Sequence, residues 1–172
     1  MGESEQDRGG EPTRADIEAA LQRAVLDALS NHVAVLDERG VIIAVNRAWK
    51  QLGDNNGLST DDYGVGSSYL GHCAAAARDG DEGAVEALDG LQRMLAGIGD
   101  RLHLTYPCHS PTEERWFRMT VTRVSGGGAS SLVVSHENVS DYKRVEASLR
   151  KLSRAVDASP VSVVVTDRAG RV

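Results

Sequence analysis

Histidine and cysteine stand side by side twice in this chain, as His72-Cys73 and as Cys108-His109. Thiolate and imidazole groups are ligands of zinc and of haem iron. However, neighbouring residues of a helix point about 100° apart, so His72 and Cys73 are poorly placed to bind one ion, and the sequence has no Cys-x-x-Cys spacing. We therefore predict no metal site. The simpler interpretation is that Cys73 packs as a small apolar residue on a helix and that Cys108 ends a strand.

A third histidine lies in Ser135-His136-Glu137, a sequence similar to the phosphoacceptor site of sensor kinases. A phosphoacceptor histidine lies on an exposed helix, whereas the preceding Leu132-Val133-Val134 is typical of a strand. The chain also shows no nucleophile–base–acid set, and Gly126-Gly127-Gly128 lacks the following lysine and helix of a phosphate-binding loop. We therefore reject a phosphoacceptor here and predict that this stretch of chain is not an enzyme.

Composition excludes further classes of protein. The 172 residues carry a net charge of −6 and no run of Lys and Arg longer than two, which argues against a nucleic-acid surface. Residues 1–12 are polar and glycine-rich, and we predict a disordered tail there. The chain has neither the apolar core of a signal peptide nor a membrane-spanning segment. Two cysteines without an export signal fit a reducing cytosol, so we predict a cytoplasmic location.

Hydrophobic periodicity predicts the elements that must position these side chains. In chain order they are helix 13–29, strands 32–36 and 41–45, helices 47–52, 67–77 and 81–99, strands 102–107, 116–121 and 131–135, and helix 141–156. Asn46 is suited to cap the first short helix. Three consecutive strands with short connections predict an antiparallel meander.

The two end helices carry apolar stripes. In helix 141–156 the apolar residues are spaced by three and four, which predicts a short coiled-coil seam formed by Tyr142, Val145, Leu149, Leu152 and Val156. In helix 13–29, Ile17 and Leu21 begin a stripe at a spacing of four. We predict a homodimer that forms through both stripes. Because no Gly/Ser linker follows helix 141–156, this helix can transmit a rotation to the segment after it.

Residues 157–172 repeat residues 27–42. At an offset of 130, six of the sixteen positions are identical, among them Asp37/Asp167 and Gly40/Gly170. Self-similarity at a fixed period indicates a second copy of one structural unit. We predict that 157–172 is the truncated start of a second domain and that the chain is a fragment of a longer protein.

The order of elements resembles a PAS domain, and four stretches carry the resemblance. VAVLDERGVIIAVNRAW looks like the family's opening strand–turn–strand–helix, LDGLQRMLAG like its long helix, ERWFRMTVTRV like its fourth strand, and VVSHENVSDYKRVE like its final strand and signalling helix. The resemblance implies an α+β fold with a five-stranded antiparallel sheet, helices on one face, and flanking N- and C-terminal helices. The implied units are the flanking helix 13–29, the PAS domain 30–140, the signalling helix 141–156, and the start of a second PAS domain at 157–172.

The resemblance also implies where a signal leaves the domain. The family's Asp-hydrophobic-Thr sequence appears here as Asn138-Val139-Ser140, with Glu146 further on. We predict that His136, Asn138, Ser140 and Glu146 relay the signal. Asn138 cannot form the charge-assisted hydrogen bond of the family's Asp, which is about twice as strong, so we expect a looser junction.

The resemblance does not specify a cofactor. Light-sensing members that form a flavin adduct need a cysteine where this chain has Tyr69, and haem-binding members usually supply a histidine from the helix over 81–99, which has none. Non-covalent flavin needs a cavity, an aromatic neighbour and a few polar groups, so FAD ranks first and haem second. The candidate cofactor-binding residues are Asn46, Trp49, Tyr69, His72 and Trp116, unless both tryptophans serve only in packing.

In PAS geometry the helix that carries Cys73 packs near the end of the third strand, so Cys73 and Cys108 form a candidate redox pair if their Cα atoms lie within about 7 Å. We predict a sensory and dimerisation module of a multi-domain bacterial signalling protein, of the histidine kinase or diguanylate cyclase type. Its partners are a second copy, a downstream domain of the parent chain and a small-molecule ligand or redox signal. The alternative is a cofactor-free spacer that only mediates dimerisation and relay.

Overall fold

The structure is a computed structural model that describes residues 11–56, 62–109, 113–126, 129–158, 164 and 166–171. The helices and strands of this part of the chain are α1 Arg14–Ala28, β1 His32–Leu36, β2 Ile42–Val45, α2 Arg47–Asn55, α3 Tyr69–Arg78, α4 Glu82–Leu95, β3 Arg101–Pro107, β4 Trp116–Gly126, β5 Ala129–Asn138 and α5 Ser140–Asp157. Most of the predicted tail at 1–12 lies outside the described residues, as does most of the segment 159–165.

The five strands form one antiparallel sheet in the order β2-β1-β5-β4-β3. The last three strands are the predicted meander, and β1 pairs along its whole length with β5. The predicted α+β fold with a five-stranded antiparallel sheet is confirmed. Because β1 and β5 are neighbours, the first and last strands of the domain meet inside the sheet rather than at its edges.

One face of the sheet forms the core under α3 and α4. Successive side chains of a strand point to opposite faces, and buried residues accordingly alternate with more exposed ones along Trp116–Val121 and Ser131–His136. The buried strand residues include Leu104, Met119, Val121, Leu132 and Val134, and α4 contributes Leu91 and Met94. Burying a side chain of this size stabilises a fold by roughly 1.5–3 kcal/mol.

Two glycines of α4 allow that helix to lie close to β3. A Cβ atom on Gly83 would lie 2.8 Å from the Cβ of Tyr106, and one on Gly90 would lie 2.6 Å from a methyl of Leu102. Both distances are far below the optimal carbon–carbon separation of about 3.5–4.0 Å. The lack of side chains at Gly83 and Gly90 therefore fixes the separation of α4 and β3.

Several element boundaries differ from the predicted ones. α4 ends at Leu95 rather than at residue 99, and β4 extends to Gly126 rather than to residue 121. β5 covers Ala129–Asn138 rather than 131–135, because it pairs with β4 along its whole length, from Ala129 opposite Gly126 to Asn138 opposite Phe117. α2 continues to Asn55 rather than ending at residue 52. The predicted cap at Asn46 is present, since its side chain accepts a hydrogen bond from the backbone N–H of Trp49 at 2.9 Å.

The turn between β1 and β2 has a counterpart in the repeated segment. The Asp37 carboxylate accepts hydrogen bonds from the backbone N–H groups two and four residues ahead, at 2.9 and 2.8 Å. Asp167 accepts the same pair at 2.8 and 3.0 Å. Gly40 and Gly170 adopt φ values of +76° and +77°, a region that favours glycine. The repeat at offset 130 therefore extends from sequence to local conformation.

The flanking helices leave their apolar stripes uncovered. No residue of α1 is buried, and Leu21 is 63% exposed. On α5, Leu149 and Leu152 are 63% and 65% exposed. Within the described ranges, no helix combines the length and apolar character that crossing a membrane requires.

Candidate ligand-binding cavity

A cavity of about 560 Å³ lies between the sheet and the segment that contains α2 and the start of α3. The chain has two Trp, four Tyr and one Phe, and five of these seven line the cavity: Trp49, Tyr63, Tyr69, Tyr106 and Phe117. Small-molecule sites typically have volumes of about 300–1,000 Å³ and apolar, aromatic walls. We call this space the aromatic cavity.

Three polar side chains form a hydrogen-bonded group in its wall, which we call the tyrosine–histidine cluster. The hydroxyl of Tyr69 lies 2.9 Å from Nε2 of His136, and the hydroxyl of Tyr106 lies 2.7 Å from Nδ1 of the same ring. His136 follows Val134 by two residues on β5, so both point to the inner face. Tyr69 is the first residue of α3, whose cap Ser68 accepts from a backbone N–H.

The cluster is uncharged at neutral pH. Burial, and then the nearby His32, lowers the pKa of His136 to about 4. Burial also raises the pKa of the Tyr69 and Tyr106 hydroxyls above the usual tyrosine value. A neutral imidazole has one N–H donor and one acceptor nitrogen. One tyrosine therefore donates to His136 while the other accepts from it.

A second cavity of about 180 Å³, the side cavity, lies between α3, α4 and β3. It shares Tyr69, His72, Tyr106 and His136 with the aromatic cavity. The tyrosine–histidine cluster therefore stands between two spaces. A ligand in either one contacts the same hydrogen-bonded group.

Other polar groups in the lining are more exposed than the cluster. His72 Nε2 lies 2.8 Å from the Ser67 hydroxyl. The Asp62 carboxylate accepts from the backbone N–H of Gly64 at 3.0 Å. Arg115 donates from Nε to the Cys108 carbonyl at 3.3 Å. The cavity thus combines apolar walls with one arginine, one carboxylate and one exposed histidine.

Three of the five predicted cofactor-binding residues line the aromatic cavity: Trp49, Tyr69 and His72. Asn46 does not, because its fully buried side chain accepts from the Val33 backbone N–H at 3.0 Å and caps α2. Trp116 lies on the opposite face of the sheet from its neighbour Phe117, and its ring centre is 5.6 Å from the Lys143 ammonium. Asn46 and Trp116 therefore lie outside the lining of the aromatic cavity, and their part in a cofactor site stays a prediction.

Both cysteines are free thiols. Cys108 lines the aromatic cavity and Cys73 the side cavity. Burial raises the pKa of the Cys73 thiol to about 11, so little reactive thiolate is present at neutral pH. The redox pair remains a prediction. No group of three or more His, Cys, Asp and Glu side chains among the described residues is arranged to hold a metal ion.

The junction of β5 and α5 contains two of the predicted relay residues. Asn138 Oδ1 accepts hydrogen bonds from the backbone N–H of Ser140 at 3.0 Å and from its hydroxyl at 2.6 Å. The Ser140 hydroxyl oxygen in turn accepts from the Trp116 backbone N–H at 2.9 Å. Glu146 lies further along α5 in ion pairs within that helix. His136 lies two residues before Asn138, and its side chain reaches the cavity instead of the junction.

Sequence reasoning does not select Tyr63, Tyr106, Phe117 or Arg115 as site residues. For Tyr106 a signal is present, since it alternates in phase with Leu104 and so belongs on the inner face. Tyr63 lies in a non-periodic segment and carries no such signal. The sequence alone does not show which loop covers the cavity.

Comparisons with known proteins agree with this architecture. The family model of the PAS domain matches residues 20–53. The structure is similar to the PAS domain of BvgS from Bordetella pertussis, with a TM-score of 0.54, 15% identity, and coverage of 81% of this chain and 98% of that chain. It is also similar to an RNA-binding light-oxygen-voltage receptor, with a TM-score of 0.57, 17% identity, and coverage of 85% of this chain and 40% of that chain.

A relative among curated proteins is an uncharacterized 104.1 kDa protein in the hypE 3' region of Rhodobacter capsulatus, 38% identical over 133 residues. The alignment covers 74% of this chain, and the chain spans 14% of that relative's length. Residues 20–53 match the family model of the PAS domain, and the chain has the fold of a PAS domain. A PAS domain is a sensory module and is not itself catalytic.

Proposed function

We propose that this PAS domain senses a small molecule bound in the aromatic cavity and relays occupancy through α5 within a homodimer. The observation that supports this most directly is the gathering of five of seven aromatic side chains around an unfilled space of about 560 Å³. A spacer that only holds subunits together gains more from a filled core, because close packing is what stabilises a protein interior. Of the two cofactors considered from the sequence, FAD ranks before haem.

A short path connects the cavity to α5. His136 in the tyrosine–histidine cluster and Asn138 at the junction lie on the same strand, two residues apart. A second contact runs from Glu113, two residues before the cavity-lining Arg115, to Arg144 on α5 at 3.1 Å. A ligand that moves the start of β4 or the end of β5 therefore changes the support of α5. On this proposal α5 is the two-state element that such a relay requires.

We propose that the apolar stripe of α5 packs against α5 of a second copy of the chain. The spacing of three and four residues from Tyr142 to Val156 matches the seam between two like helices. The five apolar residues of the stripe are between 48% and 65% exposed. Such a stripe on a soluble domain marks an interaction surface. Ile17 and Leu21 on α1 extend the proposed interface.

We further propose that the domain belongs to a larger bacterial signalling protein in the cytoplasm, with a histidine kinase or diguanylate cyclase output. The relative of 104.1 kDa supports the presence of further domains, as does the repeated turn at Asp167 and Gly170. On this proposal residues 157–172 begin a second PAS domain, and α5 is both the output helix of the first domain and the entry helix of the second.

The absorption spectrum of the purified chain tests the sensory proposal, together with mass spectrometry of small molecules released by denaturation. We expect a stoichiometric molecule, or a raised melting temperature when a ligand is added to the empty protein. A chain that releases nothing, and whose melting temperature no cell extract raises, favours the spacer.

Leu149→Glu tests the dimer by light scattering, with Lys151→Glu as the control on the same helix. A charge at the seam must be desolvated on association, so we expect Leu149→Glu to be monomeric at concentrations where Lys151→Glu remains a dimer. Equal masses for the two variants would place the interface elsewhere.

A further inference from the structure

The Tyr106 hydroxyl has hydrogen-bonding capacity that the described part of the protein does not use. In one tautomer His136 donates from Nε2 to Tyr69, whose hydroxyl donates to the Met119 sulfur at 3.7 Å, and Tyr106 donates to Nδ1. The oxygen lone pairs of Tyr106 are then open. In the other tautomer Nδ1 donates to Tyr106, and the Tyr106 O–H is open instead. The cluster can therefore present either an acceptor or a donor.

Arg115 lies on the same wall of the aromatic cavity. It precedes Phe117 by two residues, and Phe117 pairs directly with Tyr106. Two residues of a strand span about 7 Å. The backbone positions of Arg115 and Tyr106 are therefore displaced by about that distance along the strand direction. The guanidinium of Arg115 forms no ion pair with a carboxylate in the described part of the chain, and only its Nε donates, to a carbonyl.

The polar side chains around this wall favour an anion near Arg115. His72 adds an imidazole, held by Ser67 at 2.8 Å. Among the described residues of the lining, the one carboxylate is that of Asp62, which already accepts the Gly64 N–H. An arginine with free terminal N–H groups binds a carboxylate through two parallel hydrogen bonds. The remaining lining is aromatic, which favours a flat ring between these polar groups.

We propose, resting on the sensory function above, that the aromatic cavity takes a planar aromatic acid whose carboxylate binds Arg115 and whose polar ring substituent binds Tyr106. The tyrosine–histidine cluster then selects for a hydrogen-bonding substituent. The tautomer of His136 adjusts to whether that substituent donates or accepts.

The test measures binding of 6-hydroxy-2-naphthoate, 2-naphthoate, 2-naphthol and 2-naphthylmethylamine to the full chain by isothermal titration calorimetry. We expect the hydroxy acid to bind most tightly. Arg115→Gln should weaken both acids by about 10-fold or more, which is the usual effect of losing a hydrogen bond to a charged group. Of the two acids, Tyr106→Phe should weaken only the hydroxy acid, by about 3- to 10-fold.

Matched controls separate recognition from misfolding. Tyr142→Phe removes an exposed hydroxyl on α5, away from the cavity lining, and Arg118→Gln removes an arginine that pairs with Glu137 at 3.4 Å. Neither change should alter the binding of any probe by more than about 2-fold. Circular dichroism and the unfolding midpoint of each variant show whether it is folded.

Three results would overturn the inference. The first is an amine or a naphthol that binds as tightly as the acids. The second is acid binding that Arg115→Gln or Tyr106→Phe leaves unchanged. The third is no binding of any acid probe at 1 mM. If a different molecule is released from the purified chain in any of these cases, the sensory function stands and only the ligand class is wrong.

Discussion

Acidification should destabilise the domain through His136 before its carboxylates are protonated. Burial, followed by the proximity of His32, lowers the pKa of His136 to about 4, against 6.5 for an ordinary histidine. Between these values the unfolded chain binds a proton that the folded chain does not. The contribution of His136 to the free energy of unfolding is therefore complete above pH 6.5. It is lost as the pH is lowered towards 4.

The magnitude follows from the separation of the two pKa values. A gap of about 2.5 units corresponds to roughly 3 kcal/mol at the acid end, and the loss at pH 5 is about 2 kcal/mol. His32 adds to the effect with the same sign, because burial lowers its pKa too. For an ordinary urea dependence of about 2 kcal/mol/M, the urea midpoint should fall by about 1 M between pH 7 and pH 5.

Urea unfolding of the wild type and of His136→Gln, followed by circular dichroism at pH 7, 6 and 5, measures this effect. The variant should be less stable at pH 7, because two tyrosine hydroxyls lose a partner. It should also lack most of the pH dependence. His103→Gln, an exposed histidine on β3, is the control and should keep the wild-type slope. Equal slopes for wild type and His136→Gln would refute the assignment of a depressed pKa to this residue.

Three further changes test the packing and the junction, each by the free energy of unfolding at pH 7. Asn46→Ala should lower the free energy of unfolding by about 3 kcal/mol, because it removes a cap and leaves buried backbone groups unpaired. As a control, Asn56→Ala at an exposed position should lower it by under about 1 kcal/mol. Asn138→Asp should stabilise the domain by about 0.5–1 kcal/mol, since a carboxylate accepts more strongly from Ser140 at the N-terminus of α5; a less stable variant would contradict this view of the junction. Gly83→Ala should destabilise by about 1–3 kcal/mol despite the better helix propensity of alanine, because it meets the Tyr106 Cβ at 2.8 Å.

Much of the fold could be predicted from the hydrophobic periodicity and from the residues that cap helices. The change from a helical period to a period of two marks the start of the β3–β5 meander. Ser68, Asp81 and Asn46 cap the helices that they precede. These signals are local, since each depends on residues within one or two turns of chain. For the same reason they could not set the length of β5, which depends on its partner β4.

The candidate site depended on contacts between distant residues. Trp49, Tyr69 and His72 could be named from the resemblance, but Asn46 and Trp116 could not be separated from them until the two faces of the sheet were known. Tyr106 and His136 are 30 residues apart and Tyr69 and His136 are 67 apart, yet they share two hydrogen bonds. No local pattern contains such a pairing.

By itself the sequence determined the order of elements, the caps, the apolar stripes of α1 and α5, and the repeat at offset 130, because each is encoded in spacing along the chain. Only the tertiary structure decided which side chains surround the aromatic cavity. Pairing β3 with β4 and β4 with β5, and covering that face with α3, brings Tyr69, Tyr106 and His136 together, out of water. That burial is also what lowers the pKa of His136, a property that depends on its surroundings and not on its neighbours in sequence.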